Sequence, residues 1–303
     1  MTYYYKSKIE QYAFNTCNAI FMLLVMFIML YPFWNTIAVS FNSAADTTRG
    51  GITFRPRVFT LQNYRVVFSD GTIYNAFFIS VARTVIQTVS GVFLTSMLAY
   101  ALSRKDYIFR KPFTIILVLS MYINAGLIPN FFLIRSLGMY QTFWVYVVPG
   151  MISAFNFIVI RTYISNLPES IIESARIDGC GDFVIFTRII LPLCLPVLAT
   201  IALFIAVGAW NAWFDTMIYN SGMPHLHTLQ YKLMGYIESS QSQSKSAAAI
   251  GSMGMAQNIA GSMVTPVSIR AAVTVVAALP ILVVYPFLQR YFVTGINVGG
   301  VKE

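Results

Sequence analysis

The sequence predicts an all-α integral membrane protein with about six transmembrane helices and a short cytoplasmic helical segment between spans four and five. Of its 303 residues, 57% are hydrophobic and only 10% charged, against about 25% charged in ordinary soluble domains. Mean hydropathy is +0.67. Long apolar stretches recur along the whole chain and leave no room for a separate globular domain, so a single membrane domain with a core of about residues 73–290 is expected.

A membrane-crossing helix needs about 20 mainly apolar residues, because only internal hydrogen bonding satisfies its backbone in lipid. Six stretches meet this: residues 18–40, 73–102, 113–134, 143–164, 193–214 and 266–288. The first follows Lys6 and Lys8, as a signal peptide would. It is too long for one and lacks a small-residue cleavage site.

Orientation follows from the basic links. Arg104, Lys105, Arg110 and Lys111 crowd the turn after span two, and Arg161, Arg176 and Arg188 follow span four. Those turns are expected in the cytoplasm, together with both termini. The net charge of +9 then reflects topology and lipid contact, not nucleic-acid binding. Cys17, Cys180 and Cys194 have no CxxC spacing, so neither a metal site nor a disulfide framework is indicated.

Two outer links are long. Residues 41–72 carry Arg55-Pro56-Arg57, and residues 215–265 carry Ser239-Ser-Gln-Ser-Gln-Ser-Lys245 and Gly251-Ser-Met-Gly-Met-Ala256. Each is a docking surface for an external partner or a mobile polar loop.

The acidic residues constrain the energy source. All eleven fall outside the apolar stretches, and only Asp215 borders one. Proton- or sodium-coupled carriers need ionisable groups near the midplane. The chain also lacks a G-x-x-x-x-G-K-[ST] loop, so it cradles no nucleotide phosphates by that device. If ATP drives this protein, a partner binds it.

The polar exception is the segment 165–192. Pro168 opens it, residues 170–178 read as a short helix with Ile171, Ile172 and Ala175 on one side, and Gly179 and Gly181 break it. Residues 183–190 read as a second helix ended by Pro192. Small residues Ser174, Ala175 and Gly179 would admit another protein's backbone, with Glu173, Arg176, Asp178 and Arg188 setting register. An amphipathic hairpin on the membrane surface fits the same pattern.

Glu173-Ser-Ala, Asp178-Gly179 and Ile189-x-Leu191-Pro192 resemble the EAA loop of the membrane subunits of ATP-binding-cassette (ABC) importers. Ser174 replaces the first alanine, and Cys180 the alanine after glycine. Leu98-Ala-Tyr-Ala-Leu-Ser-Arg104, Gly126-Leu-Ile-Pro129, Leu137-Gly-Met-Tyr-Gln-Thr142, Trp210-Asn-Ala-Trp-Phe-Asp215 and Tyr285-Pro-Phe-Leu-Gln-Arg-Tyr-Phe292 extend the resemblance to carbohydrate permeases of the maltose type. Gly126-Leu-Ile-Pro129 and Trp213-Phe-Asp215 resemble the polysaccharide-fragment branch.

The resemblance implies a non-catalytic permease subunit of a bacterial cytoplasmic (inner) membrane with a cytoplasmic coupling helix. Its implied partners are a second permease, two ATPase subunits holding ATP and Mg, an extracytoplasmic binding protein, an oligosaccharide and the lipid bilayer. No cofactor is bound by this chain. The coupling residues it implies are Glu173, Ala175, Asp178 and Gly179, with Arg176, Ile189 and Pro192. The tail, residues 291–303, resembles one that reaches toward the ATPases, or is a frayed terminus.

Candidates for the ligand path are Trp210, Asn211, Trp213 and Asp215 at the end of span five. Aromatic faces and amides suit sugar C–H faces and hydroxyls, and interfacial anchoring suits the tryptophans equally. Arg83, Arg135 and Arg270 lie in or near the outer halves of spans. They would suit the carboxylates of alginate- or pectin-like fragments, or snorkel to headgroups. A neutral oligosaccharide or other solute remains the alternative, and a secondary carrier the rival mechanism.

Overall fold

The computed structural model describes residues 2–69, 71–249 and 265–296. Among these the chain is helical, with one isolated antiparallel bridge between Asn42 and Phe59 and no strand. The expectations for Gly251-Ser-Met-Gly-Met-Ala256 and for the end of the tail lie outside the described residues. Among the described residues two compact units are formed, one drawn from 1–70 and 235–277 and the other from 71–234 and 278–303.

In the first unit, α1 (Thr2–Ser40) is a 39-residue helix carrying Pro32. The following link is pinned by Asn42. Its side-chain oxygen accepts from the backbone N–H of Arg57 and of Val58, and its amide donates to Asp46, which pairs with Arg57 at 2.9 Å. This link leads into α2 (Gln62–Ser69). The first of the two long links is thus held by contacts around Asn42. The Ser/Gln stretch of the second is also ordered at the backbone, as part of α11 (Leu229–Ala249).

The second unit is organised around α3 (Gly71–Ser103), α6 (Ala154–Ser165) and α9 (Leu195–Asn211). Their residues Ala99, Tyr100, Phe157, Ile160, Val197 and Ile201 build part of the main buried cluster. Between them run α4 (Arg110–Ser120), α5 (Leu127–Ser136), α7 (Glu169–Ile177) and α8 (Asp182–Leu193). After α9 come α10 (Phe214–Tyr219), the start of α11, and α12 (Pro266–Ile296), whose last part belongs here.

Span continuity differs from the sequence expectation. Glu10–Ser40, Gly71–Ser103 and Pro266–Val284 are long and apolar enough to cross a membrane, and two bent pairs bring the count to at most five among the described residues. The stretch 113–134 is divided between α4 and α5. Asn124 accepts from the Gly126 N–H at 2.9 Å, and Gly126 takes φ 85°, a left-handed turn that glycine adopts without cost. The fourth span bends 45° between Phe143–Gly150 and Ala154–Ser165, and α8 meets α9 at 83°.

Candidate functional site

The 165–192 loop is built outward from the core. Ile172 and Ala175 of α7 are buried in the cluster formed with α3, α6, α8 and α9, and burying an isoleucine side chain stabilises by about 1.5–3 kcal/mol. Ala175 is therefore a packing residue within this chain. The expectation that it faces another protein's backbone is corrected by that burial.

The end of α7 is fixed by hydrogen bonding. Cys180 N–H donates to the Ala175 carbonyl and Gly179 N–H to the Arg176 carbonyl, each at 3.0 Å, the paired bonds of a Schellman cap. Gly179 takes φ 81°. A Cβ at Gly179 would meet nothing within 4 Å, so within this chain glycine is required by backbone conformation, not by close packing.

What remains outside is a face of mixed chemistry. Glu173, Ser174, Asp178 and Gly179 are exposed, and Ile177 is 86% exposed. The Glu173 carboxylate has no hydrogen bond or ion pair among the described residues. Sequence reading missed Ile177; its place four residues after Glu173, on the same helical face, was the available signal.

Arg176 is used internally. It donates to Asp182 at 3.0 Å and to Asp106 at 3.2 Å, while Lys105 meets Glu169 at 2.6 Å. The 165–192 loop is thereby tied to the link after α3. The Asp106 carboxyl lies below its ordinary value because of its own backbone N–H; partial burial opposes this, and Arg176 reinforces it. Lys105 holds Glu169 low.

Beyond the cap, α8 runs through Pro192 instead of ending there, and its turn Phe186–Ile190 is a π-helix. Proline offers no N–H to the carbonyl of Arg188, and the widened turn accommodates that loss. The break falls at Cys194. Pro192 is exposed, and Ile189 packs against the main cluster.

Of the ligand-path candidates, the structure brings Arg83 and Asp215 together. Trp210 is buried, edge-on to Phe77 at 5.9 Å, and Trp213 stacks edge-on to Phe214. Asn211 is exposed and accepts from Gln230 at 3.3 Å. Arg135 is exposed in the last turn of α5. Arg83 is buried and forms a bidentate pair with Asp215, donates to the Ala212 carbonyl at 3.1 Å, and lies 4.8 Å from the Tyr146 ring centre. Its charge is therefore neutralised within the chain, which corrects its reading as a free cation for an acidic ligand.

No protein-family model matches the chain. It is 38% identical over 282 residues to the polygalacturonan/rhamnogalacturonan transport system permease protein YtcP of Bacillus subtilis, covering 93% of this chain and 96% of that one. The chain belongs to the permease subunits of ABC sugar importers. Protein LplC of B. subtilis is 35% identical over 289 residues, covering 95% of each chain. A bacterial ABC transporter involved in import of the acidic polysaccharide alginate matches in structure with TM-score 0.81 and 27% identity, covering 92% of this chain and 96% of that one. The permease is accordingly an integral membrane protein and not an enzyme; ATP hydrolysis belongs to partner ATPase subunits.

Proposed function

We propose that this permease is half of a heterodimer that imports acidic, uronate-containing oligosaccharide fragments. Two ATPase subunits carry ATP and Mg, and an extracytoplasmic binding protein delivers the sugar. Both termini and the 165–192 loop lie on the ATPase side. The observation that carries this reading is the α7 face: unpaired Glu173 beside exposed Ile177, on a helix anchored by Ile172 and Ala175. An unpaired carboxylate next to an apolar side chain suits a protein partner. Movement of that partner would reach α3, α6 and α9 through one continuous packed cluster. Glu173, Asp178 and Gly179 contribute the contact and its shape, and Arg176, Ile189 and Pro192 hold the loop.

The acidic substrate is supported by two relatives, whose names specify polygalacturonan/rhamnogalacturonan and alginate. The Arg83–Asp215 pair favours a second reading, a neutral oligosaccharide, since it cancels a cation that could have met a carboxylate. Uptake by the reconstituted complex decides between them. Oligogalacturonate is expected to be transported in preference to cello-oligosaccharides, and the reverse preference would establish the neutral reading. Transport persisting without any ATPase subunit would instead mark a secondary carrier.

A further inference from the structure

A cleft of about 360 Å³ opens between the end of α3, the link that follows it and the coupling loop. Its size falls in the range of small-molecule sites, about 300–1,000 Å³. Four aromatic residues line it: Tyr100, Tyr107, Phe183 and Phe186. Tyr100 and Phe186 are stacked at 5.7 Å, and Phe183 is 63% exposed. Arg104, Asp106, Arg176 and Asp182 supply the polar part.

This lining combines ring faces for apolar C–H surfaces with carboxylates that accept from hydroxyls and guanidinium groups that donate to oxygen. One donor here lacks a hydrogen-bond partner among the described residues, the Tyr100 hydroxyl, while Arg104 Nε faces the Asp106 carboxylate at 3.5 Å. A buried donor left unmade costs about 1–3 kcal/mol, so a small rearrangement that lets the Tyr100 hydroxyl meet a ligand oxygen is favoured. The two acids and two arginines balance in charge.

We propose that this cleft binds one or two sugar rings on the ATPase side, and that imported product seated there slows ATP turnover. The inference rests on the importer reading above. Asp106 belongs to the link and Asp182 to the coupling loop, and Arg176 bridges them. A sugar bonded to both carboxylates holds the loop at its present distance from α3. It thereby opposes any loop movement that opens the cleft, because it binds the closed arrangement more tightly.

The test uses the complete complex in proteoliposomes, ATPases outward and loaded binding protein sealed inside. Digalacturonate and cellobiose serve as acidic and neutral probes, added outside. At least one is expected to roughly halve ATP turnover when its concentration equals its dissociation constant, in about the millimolar range. Tyr107→Ala is expected to remove the inhibition with the basal rate unchanged, and Tyr107→Phe, which keeps the ring face, to retain it. No effect of either probe, or undiminished inhibition in Tyr107→Ala, overturns the proposal. If sealed binding protein fails to stimulate turnover, the importer reading falls; if stimulation is intact and outside sugar is inert, this inference alone falls.

Discussion

Arg83 on α3 and Asp215 at the start of α10 form a bidentate ion pair across 132 residues of chain. The arginine side chain is 4% exposed and the carboxylate 23%. Removing one partner of a buried pair costs about 3–5 kcal/mol, because the other charge is stranded. Asp215→Ala is therefore expected to destabilise the permease by about 3 kcal/mol, the lower figure reflecting the remaining exposure of Asp215. Replacing both partners, Arg83→Met with Asp215→Leu, is expected to recover most of the loss. Thermal unfolding of the solubilised complex reads both, and an Asp215→Ala protein as stable as the parent would refute the pair's structural role.

Gly179 isolates backbone strain from packing. Since a Cβ there meets no atom within 4 Å, Gly179→Ala should cost only the left-handed penalty, about 1–2 kcal/mol. Gly179→Asn should cost less, because asparagine tolerates that region. The expected outcome is a weakened end of α7 and fewer sugars imported per ATP, with alanine worse than asparagine. Equal defects in the two variants would point to contact with a partner as the controlling factor.

Ile172 and Ile177 sit five residues apart and should behave oppositely. Ile172→Ala removes a buried side chain and is expected to lower stability by about 2–5 kcal/mol. Ile177→Ala removes an exposed one and should leave unfolding unchanged, while weakening ATPase binding to the solubilised permease pair, as should Glu173→Ala. Co-purification yield and unfolding temperature separate the two effects. Unchanged ATPase binding in both Ile177→Ala and Glu173→Ala would remove the α7 face as the docking site.

Much of this was legible in the sequence where one local rule governed. Apolar length predicts a helix over 73–102, and α3 runs Gly71–Ser103; the pattern after Pro168 predicts a short helix over 170–178, and α7 runs Glu169–Ile177. Apolar length and the Gly179 stop are local signals. The divided third stretch was less legible, because Asn124-Ala-Gly126 is a brief interruption in an otherwise apolar run. The Arg83–Asp215 pair was not legible at all. Each residue alone looks like a costly charge near a span, and only the packing of α3 beside α9 brings them together.

The ties between the coupling loop and the α3 link predict how pH and salt act. Asp106 and Glu169 both have carboxyl pKa values held below their ordinary range. A depressed folded pKa gives stability that is present above the unfolded value and lost as pH falls through the folded one. The Lys105–Glu169 and Arg176–Asp106 contacts should thus persist across the neutral range and release only below about pH 4, where ordinary carboxylates protonate. These groups are largely exposed, so salt should act sooner than acid: at about 1 M the screening length falls to roughly 3 Å. Proteolysis of the solubilised permease at the 165–192 loop is expected to quicken in high salt at pH 7 and to be unchanged between pH 6 and pH 8. Arg176→Gln, which breaks the bridge to Asp106 and Asp182, should show the faster rate already at low salt. A loop equally resistant in both proteins and at both salt concentrations would mean that the buried side chains Ile172 and Ala175 alone hold it.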